Sequence, residues 1–104
     1  MPERLAALLL AAATVPAAAG GLPPGRAAEL ETLVRQDCGA CHGITLAGGL
    51  GSDIRPAALA ARTPDGLAAV ILDGIPGTAM PPWRPLISPE DADWIARYLL
   101  EDEK

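Results

Sequence analysis

Phenylalanine is absent from the 104 residues, and Trp83, Trp94 and Tyr98 are the only aromatic side chains. Half of the residues count as hydrophobic, but alanine supplies much of that share. A core built from this set is thin, and a small domain with a thin core needs a staple: a disulfide, a metal or a bound group. Lysine is nearly missing too, Lys104 being the only one. With a net charge of −5 and no cluster of Lys and Arg, the chain lacks the means to recognise nucleic-acid phosphates. No apolar run reaches the roughly 18 residues that a membrane span requires. Alternating strand patterns and internal repeats are also absent, and the length suits one domain.

The longest apolar stretch, Leu5 to Ala13, lies at the N-terminus behind Arg4. Thr14-Val15-Pro16 breaks it, and Ala17-Ala18-Ala19 matches an A-x-A cleavage site. The pattern predicts a secretory signal over 1–19, cut after Ala19, then a flexible Gly/Pro-rich leader over 20–25 and one domain over 26–104. Reading the same stretch as an uncleaved anchor is disfavoured by its shortness.

Helical signals punctuate the rest. Leu30, Leu33 and Val34 recur at helical spacing, one turn after Ala27, and predict a helix over Arg26 to Asp37 that runs into Cys38. Gly43, Gly48, Gly49, Gly51 and Pro56 mark a loop over 43–57, with a short helical turn at Ala57 to Ala61. Thr63 as N-cap, Pro64 at the first position and Asp65 beside the positive helix end open another helix. Its expected buried stripe is Leu67, Val70 and Ile71, and Gly74 ends it. Five glycines and prolines at 76, 77, 81, 82 and 85 exclude regular structure over 75–87. Ser88, Pro89 and Asp91 start the last helix, with Ala92, Ile95, Ala96 and Leu99 on one face and Glu90, Asp93, Arg97 and Glu101 on the other. The fold class is all-α, with three to four helices.

Cys38-Gly39-Ala40-Cys41-His42 is the C-x-x-C-H sequence of c-type haem attachment. Two thiols must reach two vinyl groups on one porphyrin, and a spacer of two small residues makes the tight turn this needs. His42 then falls under the iron as proximal ligand. A thioredoxin-like dithiol would need a βαβ pattern that is missing. A zinc site would need more Cys or His than the chain has, and a plain disulfide leaves His42 without a role.

The sixth iron ligand follows by elimination. His42 is the only histidine, Lys104 sits at the chain end, and Met1 leaves with the signal, so Met80 is the candidate. It lies in Gly77-Thr78-Ala79-Met80-Pro81-Pro82-Trp83, a proline-fixed loop suited to holding a side chain over a haem face. A lone methionine otherwise fills gaps in a core. His/Met ligation closes both axial positions and favours Fe(II), which suits one-electron exchange and not catalysis. A haem enzyme or gas sensor with an open sixth position is the rival reading.

In this order of helix, C-x-x-C-H, Gly-rich loop, middle helix, Met loop and last helix, residues 26–102 resemble the class I cytochrome c family. The resemblance implies a fold wrapped around one covalent haem c, bound by Cys38, Cys41, His42 and Met80, with iron held by His42 and Met80. It implies that the first and last helices cross, with Trp94 or Tyr98 at the contact. It also implies that a G-P-x-L stretch supplies a carbonyl to the other ring nitrogen of the proximal histidine. This chain reads Gly51-Ser52-Asp53-Ile54, so Ser52 replaces the proline and its carbonyl becomes the expected acceptor. Two runs, Gly48 to Gly51 and Gly74 to Leu86, are similar to the c55X-type cytochromes of denitrification. That resemblance implies a periplasmic monomer exchanging electrons with cytochrome cd1 nitrite reductase or with haem d1 biosynthesis proteins.

Overall fold

The computed structural model describes residues 21–102, and the expected signal over 1–19 lies outside them. Among the described residues there is no strand. Helix α1 (Arg26–Leu33) leads through a π-helical turn (Val34–Cys38) into α2 (Gly39–His42); α3 (Pro64–Asp73) and α4 (Pro89–Leu100) follow. Backbone angles stay right-handed at Val34, Cys38 and Gly39, so the first three pieces form one continuous helical rod ending on His42.

That rod is longer than the predicted Arg26–Asp37 and contains one wide turn, where the Gly39 N–H reaches back five residues to the Val34 carbonyl. A helix pattern read at period 3.6 does not register such an insertion. Leu30 and Val34 are fully buried against the rest of the core, and Cys38 packs beside them. Leu22, in the leader, also packs against this core.

The local signals for the other helices are realised atom by atom. Thr63 Oγ1 accepts from the Gly66 N–H at 3.0 Å. Ser88 Oγ accepts from the Asp91 N–H and Asp91 Oδ2 accepts from the Ser88 N–H, both at 3.0 Å, which completes a capping box. Helix α3 packs mainly on α4, and α1 touches α4. The buried face of α3 is Leu67, Ala68, Ile71 and Leu72; Val70 lies half-buried outside it. The face is turned because the chain after the Met loop returns onto α3, with the Trp83 and Arg84 N–H groups donating to the carbonyls of Ile71 and Leu72. Over 56–61 the backbone makes hydrogen-bonded turns without a regular helix, and these bury Leu59.

The α1–α4 crossing is polar at its edge. Tyr98 Oη donates to Glu31 Oε2 at 2.8 Å, and Arg35 Nη2 donates to Tyr98 Oη at 3.2 Å. Trp94 stacks on Tyr98, with ring centroids 4.9 Å apart. Tyr98 is thus the aromatic at the contact and Trp94 its flank. Burial and the Glu31 carboxylate push the Tyr98 hydroxyl above its ordinary value, while that hydrogen bond, helped by Arg35, holds Glu31 below its own.

Candidate haem site

The π turn ends on Cys38, and α2 carries Cys41 and His42 directly after it. Both cysteines carry free thiols, Cys38 half-buried and Cys41 exposed. Burial, with a smaller contribution from Asp37, pushes the Cys38 thiol up to about 11.

The glycine-rich loop folds back onto the last two residues of the motif. The Gly48 N–H donates to the His42 carbonyl and the Gly51 N–H to the Cys41 carbonyl, each at 2.7 Å. Gly43 begins the loop at φ 97°, a conformation that disfavours a side chain, and any Cβ there would lie 2.5 Å from the Gly48 carbonyl oxygen. At Gly51 the constraint is contact: a Cβ would stand 2.7 Å from the His42 ring.

His42 Nδ1 lies 2.7 Å from the Ser52 carbonyl oxygen. Because a carbonyl only accepts, Nδ1 carries the proton in this bond, and Nε2 is left as the ring nitrogen with a lone pair for a metal. The expected acceptor is therefore in place although serine stands for proline. Just beyond it, Asp53 and Arg55 form a two-pronged ion pair, with Nε and Nη2 of Arg55 at 3.1 and 2.7 Å from the carboxylate oxygens. Asp53 is pulled down to about 2 by these bonds. Patterning alone did not single out this pair; the only signal is an aspartate two residues before an arginine.

Met80 is half-buried in a loop closed at both ends. The Ile75 N–H donates to the Met80 carbonyl at 3.3 Å, and Thr78 Oγ1 donates to the Ile75 carbonyl at 2.7 Å. Gly74 enters the loop at φ 69°, where a Cβ would lie 2.6 Å from the Met80 carbonyl oxygen. Asp73 and Arg84 bracket the loop with a bidentate pair at 2.8 and 2.9 Å. Each Arg partner holds its carboxylate below the ordinary range.

These residues fit a covalent haem. Two free thiols sit three positions apart on a helix, followed by an imidazole whose Nδ1 is already engaged. Among the described residues no group of three or more His, Cys, Asp or Glu could hold a bare metal ion. Ile44 and Leu50, on the loop beside the motif, are 91% and 95% exposed, as suits apolar side chains that gain cover from an apolar group.

Residues 25–99 match the family described as cytochrome C oxidase, cbb3-type, subunit III. The chain is 57% identical over 97 residues to cytochrome c55X of Paracoccus denitrificans, covering 93% of this chain and 94% of that one. The solved structure of the c-type cytochrome NirC superposes with a TM-score of 0.76 at 45% identity, covering 79% of this chain and 96% of that one. Similarity extends to the dihydro-heme d1 dehydrogenase of Pseudomonas aeruginosa, 35% identical over 82 residues, which is 79% of this chain and 17% of that protein.

Proposed function

We propose that this chain, which belongs to the c55X (NirC) type of c-type cytochrome, is a periplasmic one-electron carrier of denitrification that exchanges electrons with cytochrome cd1 nitrite reductase or with haem d1 biosynthesis proteins. Covalent haem c is its cofactor, and it supplies the Fe(III)/Fe(II) couple. Cys38 and Cys41 would form the thioethers, His42 would offer Nε2 to the iron, and Met80 would offer its thioether sulfur from the 75–83 loop.

One observation carries the reading: the Ser52 carbonyl occupies Nδ1 of His42, which fixes the tautomer and leaves Nε2 with its lone pair, one residue after Cys41. The closed Met loop supports the second ligand, since a rigid loop holds a weak ligand in place through the redox change. With His42 and Met80 both holding the iron, little rearrangement would accompany electron exchange. The partial match to a dehydrogenase named for dihydro-haem d1 supports the maturation side of the partner assignment. Export through the signal over 1–19 and a monomeric state belong to the same proposal.

The reading is tested with the holoprotein. The ferrous form should bind no carbon monoxide at neutral pH, and stopped-flow mixing should show electron exchange with nitrite reductase or with a haem d1 biosynthetic enzyme. Rapid carbon monoxide binding would favour an open-site sensor or enzyme instead.

A further inference from the structure

We propose that the Asp53–Arg55 pair is a positioning device that holds the Ser52 carbonyl on His42, and so sets how strongly that ring donates electrons to the iron. The proposal rests on the reading of His42 as proximal ligand.

A proline before the accepting carbonyl's next peptide would lock φ by its ring. Ser52 has no such lock and lies exposed in a glycine-rich loop, yet its carbonyl sits 2.7 Å from Nδ1. The restraint has to come from its neighbours, and each is tied down. On one side the Gly51 N–H is bound to the Cys41 carbonyl at 2.7 Å. On the other, Asp53 Oδ1 accepts from the Arg55 N–H at 2.9 Å, closing a small ring over residues 53–55. The Arg55 guanidinium clamps the same carboxylate through both Nε and Nη2. Behind it, the Ile54 N–H donates to the Leu46 carbonyl at 2.9 Å, and the Ile54 side chain is buried in the core.

Leu46 adds a second sign that this loop is held under constraint. It is the one described non-glycine residue at positive φ, 64°, and its side chain packs on the core. A leucine is kept in that region only where its surroundings over-determine it.

An exposed ion pair adds little to global stability. Its worth here lies in geometry: the planar, two-pronged contact fixes a carboxylate whose backbone adjoins the accepting carbonyl. A well-held carbonyl strengthens the Nδ1–H bond and makes Nε2 more basic, which favours Fe(III). Loosening the clamp therefore raises the reduction potential.

The test uses holoprotein carrying Arg55→Lys, alone and combined with Ser52→Pro. Lysine keeps the positive charge but loses the two-pronged fork, so a change in potential is not a charge effect. Arg55→Lys should shift the midpoint potential upward and speed solvent exchange of the His42 Nδ1 proton several-fold in ferrous-state NMR. In the Ser52→Pro background, where proline restrains the carbonyl, Arg55→Lys should change neither. Unchanged potential and exchange in Arg55→Lys, with His42 ring resonances shifted by the iron, would overturn the positioning role alone. An equal shift in both backgrounds would also overturn it. Absence of iron-shifted His42 resonances in the unmodified protein would overturn the ligand reading, and the proposal with it.

Discussion

Asp91 joins two helices through one carboxylate: Oδ1 and Oδ2 accept from Nε and Nη2 of Arg26 at 3.1 and 2.7 Å, while Oδ2 also accepts from the Ser88 N–H at the start of α4. The first residue of α1 is thereby fastened to the cap of α4. Only 9% of the Asp91 side chain is exposed, so the carboxylate has left water and depends on these partners. The α1–α4 contact holds the rod that ends on His42, which links this pair to the haem site.

This arrangement predicts an acid-sensitive stability. Arg26, then the Ser88 bonds, hold Asp91 below its ordinary value of 3.8. A depressed carboxylate contributes fully above its unfolded value and loses that contribution as pH falls through the folded one. Asp91→Asn should therefore melt lower than the native protein at pH 7, and the gap should narrow below about pH 4. Thermal unfolding of both holoproteins from pH 7 to pH 3 checks this, and a pH-independent gap would contradict it. Asp91→Ala, which leaves Ser88 Oγ as cap but removes the acceptor for both the Ser88 N–H and Arg26, should melt lower than Asp91→Asn.

Gly51→Ala should displace the proximal histidine. A Cβ at that position would stand 2.7 Å from the His42 ring, too close for either group to stay where it is. The ring would swing off Ser52, and most of the holoprotein should be lost or show a mixed-spin absorption spectrum. Ser52→Ala, which alters only an exposed side chain, should leave the spectrum unchanged.

Met80→Ala should retain covalent haem, lower the reduction potential and admit carbon monoxide to the ferrous iron. Loss of the weak far-red absorption band of methionine–iron ligation in the ferric protein provides the spectroscopic check. Identical spectra and potential before and after the substitution would remove Met80 from the ligand set.

Replacing Cys38 and Cys41 together with Ala should abolish covalent attachment and leave a largely unfolded chain. Among the described residues fourteen side chains form the buried core, three of them alanine and none of them Phe or Trp. Such a core is short of apolar area without the haem. Circular dichroism melts decide the point: a cooperative transition in the haem-free double variant would show that the core suffices.

Docking should be nearly insensitive to salt. Gly43 to Leu50 and Ile75 to Trp83 carry no charged residue, and the pairs Asp53–Arg55 and Asp73–Arg84 at their margins neutralise themselves. The net charge of −5 therefore lies elsewhere, chiefly on α4 and the four residues that follow it. Stopped-flow electron transfer to nitrite reductase should fall only slightly between low and physiological ionic strength, and Ile75→Asp should slow it at least tenfold. A steep salt dependence with an unaffected Ile75→Asp variant would show that charge guides the encounter.

The sequence by itself determined the all-α class, the starts of α3 and α4, the cofactor and the residues proposed to bind it. Each of these depends on near neighbours. Thr63 and Ser88 cap helices through groups three residues away, prolines act on their own turns, and C-x-x-C-H binds haem from five consecutive positions. The tertiary structure decided what depends on distant partners or on a shift of one residue. The π turn at Val34–Cys38, which a period of 3.6 does not register, ends on a Cys38 packed against the core. The buried face of α3 turned from Val70 to Leu72 because the chain beyond Met80 returns over it. The fastening of Arg26 to Asp91, 65 residues apart, likewise required the folded chain. At His42 the two levels meet: spacing picked out the ring, and folding brought the Ser52 carbonyl to its Nδ1, with Asp53 and Arg55 beside it, because a hydrogen bond is directional and spans only a few ångström.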